Sequence, residues 1–381
     1  YLWETEETVE MSDDIVIVDY KDLLVEPNSS SFADKQMQDL IGKAFGSKSS
    51  NSYGILAIRG IPGFVEAKEC MLPMAHKLAH LPESYLDENL TDEKSFYNAG
   101  WSHGKEKLGG KPDTSKGSFY FNPLVDCPGT ESDRALYPAS YPCNLWPSED
   151  VLPGFRNASK AIGTLMYRTV VLLSKHMDHF VFENNKATYS PNLLHDILNT
   201  TEKVKGRLLY YFPLKKRTKN DVIEEDSWIG WHNDSGFLTA LAGEIYVNDE
   251  TGDILPTSLV DPQAGLYVAN RKGETRQIVI PHDCMAVQLG ECVQILTGGF
   301  LIATPHCVRG APGIARISLP CFIDSIPTFR LTAPSGTKDA VLCSSCNKVP
   351  PLSKRWIEDG MTFGDFLHKS FELYYSWSAE Q

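Results

Sequence analysis

From residue 206 onward the chain is a succession of short apolar runs broken by turn residues: GRLLYYFP, GFLTALAGEIYV, AGLYVAN, RQIVIP, MAVQLG, CVQILTGG, FLIATPHCVRG and ARISLPCF. Runs of this length at regular spacing predict strands of an antiparallel sandwich or barrel. Upstream, DIVIVD (14–19) and SYGILAIRGIP (52–62) read as two further strands, and helical spacing appears near 32–46 and 64–80. LPGFRNASKAIGTLMYRTVVLLSKHMDHFVF (152–182) predicts one long helix packed against the sheets, and a last helix is expected near 361–374. The stretch 98–150, rich in Gly, Pro, Asn and aromatics, predicts ordered loops with short strands.

A chain of 381 residues with 42% hydrophobic and 22% charged residues can bury a large core. Its formal charge is 36 − 49 = −13, and no Lys/Arg run suggests a nucleic-acid or polybasic membrane contact, so neither partner is expected. No apolar stretch approaches the length of a membrane span. The nine cysteines are irregularly spaced and several sit inside apolar runs, which predicts reduced thiols and a cytoplasmic, reducing compartment. Cys343 and Cys346 form a lone C-x-x-C with no second pair nearby, and loop thiols are expected there. The chain begins with Tyr, so a removed leader stays open.

WHNDSGFLTAL (231–241) puts a histidine and an aspartate two residues apart. In an extended strand, i and i+2 leave by the same face, so His232 and Asp234 could converge on one ion. Alone, such a pair is common where a strand enters a turn. His306 follows the apolar run FLIATP, where a solitary histidine is more often structural. Arg316 and Ser318 share one face of ARISLPCF. A guanidinium in an apolar strand needs a carboxylate, from the protein as an internal ion pair or from a ligand. Taken together, H-x-D, a distant His and then R-x-S describe the two-His, one-carboxylate set of non-haem iron oxygenases, with open positions for a chelating 2-oxo acid and O2.

At these residues the chain resembles the isopenicillin N synthase-like branch of the Fe(II)/2-oxoglutarate-dependent dioxygenases. That family reads H-T-D-x-G-x-L-T-x-L where this chain has HNDSGFLTAL, and G-D-x-x-Q-x-x-[ST]-N-G where it has GECVQILTGG. PHCVRG and RISLPCF match the distal histidine and cosubstrate motifs, and VIVDY and YGILAIRGIPGF resemble the family's opening segments. The resemblance implies a mainly β fold with flanking helices and a double-stranded β-helix (jelly-roll) core. It implies one catalytic unit: an N-terminal region at 14–130, a supporting helix at 150–185, the core at 204–325 and a C-terminal extension with a helix at 326–381. It also implies Fe(II) held by His232, Asp234 and His306, with Arg316 and Ser318 binding the cosubstrate 2-oxoglutarate. O2 is then spent on oxidising a small molecule by hydrogen abstraction, giving hydroxylation, desaturation or ring closure.

Where the family often has Asn-x-Tyr-Pro or Asn-Tyr-Tyr-Pro, this chain has LLYYFP. Counting back from Pro213 puts Tyr210 toward the cosubstrate and Tyr211 on the opposite face. Trp101, His103, Phe119, Phe121 and Arg309 are candidates for the substrate pocket. Lys105, Lys107, Lys111 and Lys116 form a basic stretch that suits either an anionic, amino-acid-like substrate or a solvated loop. A monomer is expected. Two other readings stand beside the oxygenase: an oxidase of the isopenicillin N synthase type that does not use 2-oxoglutarate, and a non-catalytic small-molecule receptor on the same scaffold.

Overall fold

The computed structural model describes residues 15–28, 30–105, 107–108, 111–214, 227–343 and 347–376. In chain order its strands are β1 (Val16–Asp19), β2 (Ile55–Arg59), β3 (Gly100–His103), β4 (Lys107–Leu108), β5 (Lys111–Pro112), β6 (Lys116–Phe121), β7 (Val204–Tyr211), β8 (Ser227–His232), β9 (Leu238–Val247), β10 (Gly265–Ala269), β11 (Thr275–Ile278), β12 (Cys284–Leu289), β13 (His306–Arg309), β14 (Ala315–Ile323), β15 (Arg330–Leu331) and β16 (Met361–Thr362). A large mixed sheet has the order β1-β2-β12-β9-β14-β7-β6-β3, and a smaller one β11-β10-β13-β8. Only the outermost pair of the large sheet, β1 with β2, runs parallel.

Strand alternation explains how the sheets are covered. Leu209 and Tyr211 of β7, Ile55 of β2 and Ala286 of β12 form one buried cluster with Trp228 of β8, Leu266 and Val268 of β10 and Val308 of β13. The two sheets therefore face one another. The intervening residues Leu208 and Tyr210 point the other way, into a second core with Phe155, Ile162, Met166 and Val170 of the helix Phe155–Asn184. That helix carries an apolar stripe long enough to back the large sheet, and each fully buried Val, Leu, Ile, Phe or Met side chain on it contributes about 1.5–3 kcal/mol of transfer free energy. The result is two facing sheets with a helical layer on the outside of the larger one.

Several expectations need correction. CVQILTGG is not a strand: Glu291–Leu296 is a helix. It is buried on every side, so it lacks the polar face that distinguishes a helix from a buried strand in sequence. The helical stretch at 64–80 is two helices, Phe64–Met71 and Met74–Ala79, parted at Leu72-Pro73. The cysteines are not all reduced, because Cys127 and Cys143 are joined in a disulfide across the Pro-rich loop of 98–150. Both lie outside the apolar runs on which the reduced-thiol expectation rested. Cys343 is a free, exposed thiol, and Cys346 lies outside the described residues. Among the described residues no helix is long and apolar enough to cross a membrane.

Candidate metal centre and adjoining cavity

His232 closes β8 and His306 opens β13, and the two are direct cross-strand partners. Asp234 lies in the turn between β8 and β9, so it reaches the histidines by chain reversal and not by the strand alternation that its spacing suggests. The turn is tight. A Cβ on Gly236 would stand 2.3 Å from Asp324 Oδ1, the atom that accepts the Phe237 N–H at 2.9 Å. Gly290 is packed against the same turn, where a Cβ would meet the Gly236 carbonyl oxygen at 2.2 Å.

Asp234 Oδ1 is 3.9 Å from His232 Nε2 and 3.8 Å from His306 Nε2, and the three groups offer donor atoms within 4.8 Å of one another. Each donor is oriented from behind. His232 Nδ1 is 2.9 Å from the Gly230 carbonyl and His306 Nδ1 is 3.2 Å from that of Thr304. A proton on each Nδ1 leaves both Nε2 lone pairs aimed at the common point. The Thr239 hydroxyl donates to Asp234 Oδ2 at 2.6 Å, which frees Oδ1 to face the imidazoles. Burial, followed by the like charge of His306, pushes the His232 imidazole down to about 4, against the pull of Asp234, so its neutral form prevails near neutral pH. Two neutral imidazole nitrogens and one carboxylate oxygen with one side open are a donor set that fits Fe(II).

The centre opens into a cavity between the sheets of about 730 Å³, part of it continuous with solvent. Leu209, Ile229, Leu241, Leu266 and Val308 supply apolar wall, and Gln288 and Arg207 add polar groups to the lining. Arg316 and Ser318 line it from β14, both buried, with Nη1 of Arg316 3.4 Å from Ser318 Oγ. Arg316 also has an acidic protein partner. Its Nε and Nη2 both contact Glu244 Oε2, and the Tyr246 hydroxyl donates to Glu244 Oε1 at 3.2 Å. Burial alone would disfavour the charged guanidinium, but Glu244 outweighs it and raises the Arg316 pKa.

Tyr210, expected to face the cosubstrate, does not line the cavity. Arg316 is registered opposite Tyr211, and Ser318 opposite Leu209, and facing residues of an antiparallel pair share one side of the sheet. Tyr211 therefore lines the cavity, with the Arg316 guanidinium 4.8 Å from its ring. Tyr210 faces the helical layer and donates its hydroxyl to Asp249. Counting from Pro213 fails because β7 ends at Tyr211, so the proline lies beyond the cross-strand pairing that sets the face.

The five substrate candidates lie elsewhere. Trp101, Phe119 and Phe121 are buried in the helical core, Phe119 with its ring 5.0 Å from that of Phe155 and Phe121 with its ring 5.8 Å from that of Trp146. His103 has Nε2 3.1 Å from the Thr114 carbonyl and its ring 4.8 Å from that of Phe212. Arg309 is exposed on β13, its guanidinium 5.5 Å from the Tyr267 ring. Lys105 and Lys116 pair with Asp87 and Asp113 and do not line the cavity. The sequence reading missed Arg207, Glu244 and Tyr211. Tyr211 and Glu244 are the cross-strand partners of Arg316 and Ser318, so the missing signal was strand pairing and not residue type.

No family model matches the chain. It is 28% identical over 144 residues to scopoletin 8-hydroxylase of Arabidopsis thaliana, a match that covers 38% of this chain and 30% of that relative's length. Solved structures resemble it over nearly its whole length. A full-length Neurospora crassa protein in complex with alpha-KG and thymine has a TM-score of 0.64 at 17% identity, covering 95% of this chain and 97% of the other. JOX2 in complex with 2OG, Fe and JA gives 0.59 at 16%, covering 96% and 86%. The rice dioxygenase for auxin oxidation gives 0.57 at 16%, covering 94% and 96%. The chain thus shares the fold of these oxygenases.

Proposed function

We propose that the chain is an Fe(II)- and 2-oxoglutarate-dependent oxygenase of small molecules, built on a double-stranded β-helix. The observation that carries this reading is that one cavity holds both the His232, Asp234 and His306 donors and, on β14, the fork of Arg316 beside the Ser318 hydroxyl. The fold shared with proteins solved in complex with alpha-KG, or with 2OG and Fe, supports it. Bound there, Fe(II) would mediate the reduction of O2, with two electrons coming from decarboxylation of 2-oxoglutarate to succinate and CO2 and two from the substrate. Overall, one oxygen atom of O2 passes to succinate and the other to a hydroxylated product; desaturation and ring closure are the other outcomes of the same chemistry.

The protein's own residues divide the work. His232, Asp234 and His306 hold the metal on one side only, with Thr239 and the Gly230 and Thr304 carbonyls fixing each donor. Arg316 grips the distal carboxylate of the 2-oxo acid in its fork and Ser318 adds one hydrogen bond. The apolar wall excludes water from the reacting groups. Arg207, a second cation lining the cavity, suits an anionic group on the substrate, a role that Lys105 and Lys116, paired with Asp87 and Asp113, do not fill.

One observation favours the oxidase reading: Glu244 already satisfies Arg316 without any ligand carboxylate. Anaerobic reconstitution with Fe(II) and 2-oxoglutarate, followed by O2 and a metabolite extract, separates the two. O2-dependent succinate with a product gaining one oxygen or losing two hydrogens supports the oxygenase. Substrate oxidation that proceeds without 2-oxoglutarate supports the oxidase.

A further inference from the structure

The residue between two of the metal donors, Asn233, is held by the C-terminal part of the chain. Its backbone N–H donates to the Tyr374 hydroxyl oxygen at 2.9 Å, and its side-chain Nδ2 donates to Glu291 Oε1 at 2.8 Å. Glu291 grips the turn a second time, since its own N–H donates to the Asp234 carbonyl at 2.8 Å. Its carboxylate is paired with Arg355, whose Nη2 meets Oε1 at 2.6 Å while Nη1 contacts Oε2. Arg355 is 0% and Glu291 1% exposed. The Arg355 guanidinium lies 5.3 Å from the ring of Tyr374, which belongs to the helix Phe363–Ser376, and Nη2 also donates to the Pro350 carbonyl at 2.9 Å.

A fully buried ion pair contributes little net stability compared with apolar residues of the same volume, because both charges lose their hydration. Here the pair, together with Tyr374, connects the last part of the chain to the 232–234 turn through three hydrogen bonds, two of them to its backbone. His232 ends β8 and Asp234 lies in the turn that follows, so their spacing is set by whatever anchors that turn. On the metal reading of the triad given above, we infer that Glu291, Arg355 and Tyr374 are positioning residues. They hold Asn233, and with it the spacing of the His232 and Asp234 donors, so that metal affinity depends on docking of the C-terminal helix.

The test uses the full chain with two conservative variants. Tyr374→Phe keeps the buried ring and deletes the oxygen that accepts the Asn233 N–H. Asn233→Ala deletes the link to Glu291 from the other end and leaves the Arg355 pair intact. Fe(II) affinity is measured by anaerobic calorimetry, melting of the metal-free protein by scanning calorimetry, and the visible spectrum with Co(II) in place of iron. Loss of groups that orient metal ligands typically weakens binding by about 10- to 100-fold, and about tenfold is expected for each variant, with a changed Co(II) spectrum at saturating metal. Variants that melt at a lower temperature yet bind Fe(II) as wild type does, with an unchanged Co(II) spectrum, would overturn the inference and leave only a packing role. Wild type that binds no metal would instead sink the metal reading on which the inference rests.

Discussion

Glu244 contacts the same guanidinium that the proposed cosubstrate must use, so neutralising it has a signed consequence. Arg316 is 5% exposed, and both its Nε and Nη2 contact one oxygen of Glu244. A ligand carboxylate can take the fork only if Glu244 gives up at least one of these bonds. Hydrogen bonds to charged groups contribute roughly 1.5–3 kcal/mol each. The Glu244 side chain is 28% exposed and Gln could still accept one bond, so the loss is discounted to about 1–2 kcal/mol. Glu244→Gln should therefore bind 2-oxoglutarate about 5- to 30-fold more tightly than wild type. The same free energy appears as a cost to the variant before it binds ligand, because its buried Arg316 has lost its counter-charge, and it is returned on binding. Anaerobic calorimetric titration of 2-oxoglutarate into both metal-loaded proteins reads the affinity. Melting with and without 2-oxoglutarate reads the linkage, with the variant lower alone and the gap closing on saturation. Equal affinities would mean that the fork is not the cosubstrate's seat. Weaker binding by the variant would mean that Glu244 aims Arg316 at the ligand instead of competing for it.

Three further outcomes follow from the same geometry. Arg316→Lys keeps the charge but loses the fork, and a buried pair broken at one partner costs roughly 2–5 kcal/mol, so 2-oxoglutarate affinity should fall by at least about 30-fold while Fe(II) affinity, titrated separately, stays near wild type. Asp126 is pushed up by burial but more strongly held down by Asn144, Trp146 and Lys160, which lowers its pKa in the fold. Asp126→Asn should thus cost about 1 kcal/mol near neutral pH, a difference fully present above the ordinary carboxylate pKa and lost as acid protonates the native Asp126, which melting as a function of pH will follow. Replacing Cys127 and Cys143 together with Ser opens a loop of sequence separation 16 and should destabilise the protein by about 3 kcal/mol, read as a lower denaturant midpoint.

The proposed metal donors were legible because their residue types and order are restrictive: His232, Asp234 and His306 come together even though Asp234 arrives by a turn the i, i+2 argument did not foresee. Alternation also put Arg316 and Ser318 on one face, since both lie within a single paired strand. What stayed hidden depends on which strand lies beside which. Tyr211 and not Tyr210 faces the cavity because of its register with Arg316, and Glu244 meets Arg316 because β9 is the other neighbour of β14. The aromatic stretch around Phe119 looked like a ligand pocket, but the same rings fill the core beneath the helix Phe155–Asn184. Arg355 is distant from Glu291 in sequence, and nothing in its local pattern marks it as a partner of the metal turn.

On the proposed function, one cavity binds a metal through His232, Asp234 and His306 and a 2-oxo acid beside it. Anaerobic titration of Fe(II) into the full chain, with and without saturating 2-oxoglutarate, tests this most directly, with His306→Ala as the comparison. One Fe(II) per chain is predicted, bound more tightly when 2-oxoglutarate is present, because the cosubstrate would be held by Arg316 and the metal together. The His306→Ala protein should lose most of that affinity. Fe(II) binding that is unaffected by both 2-oxoglutarate and the loss of His306 would contradict the account.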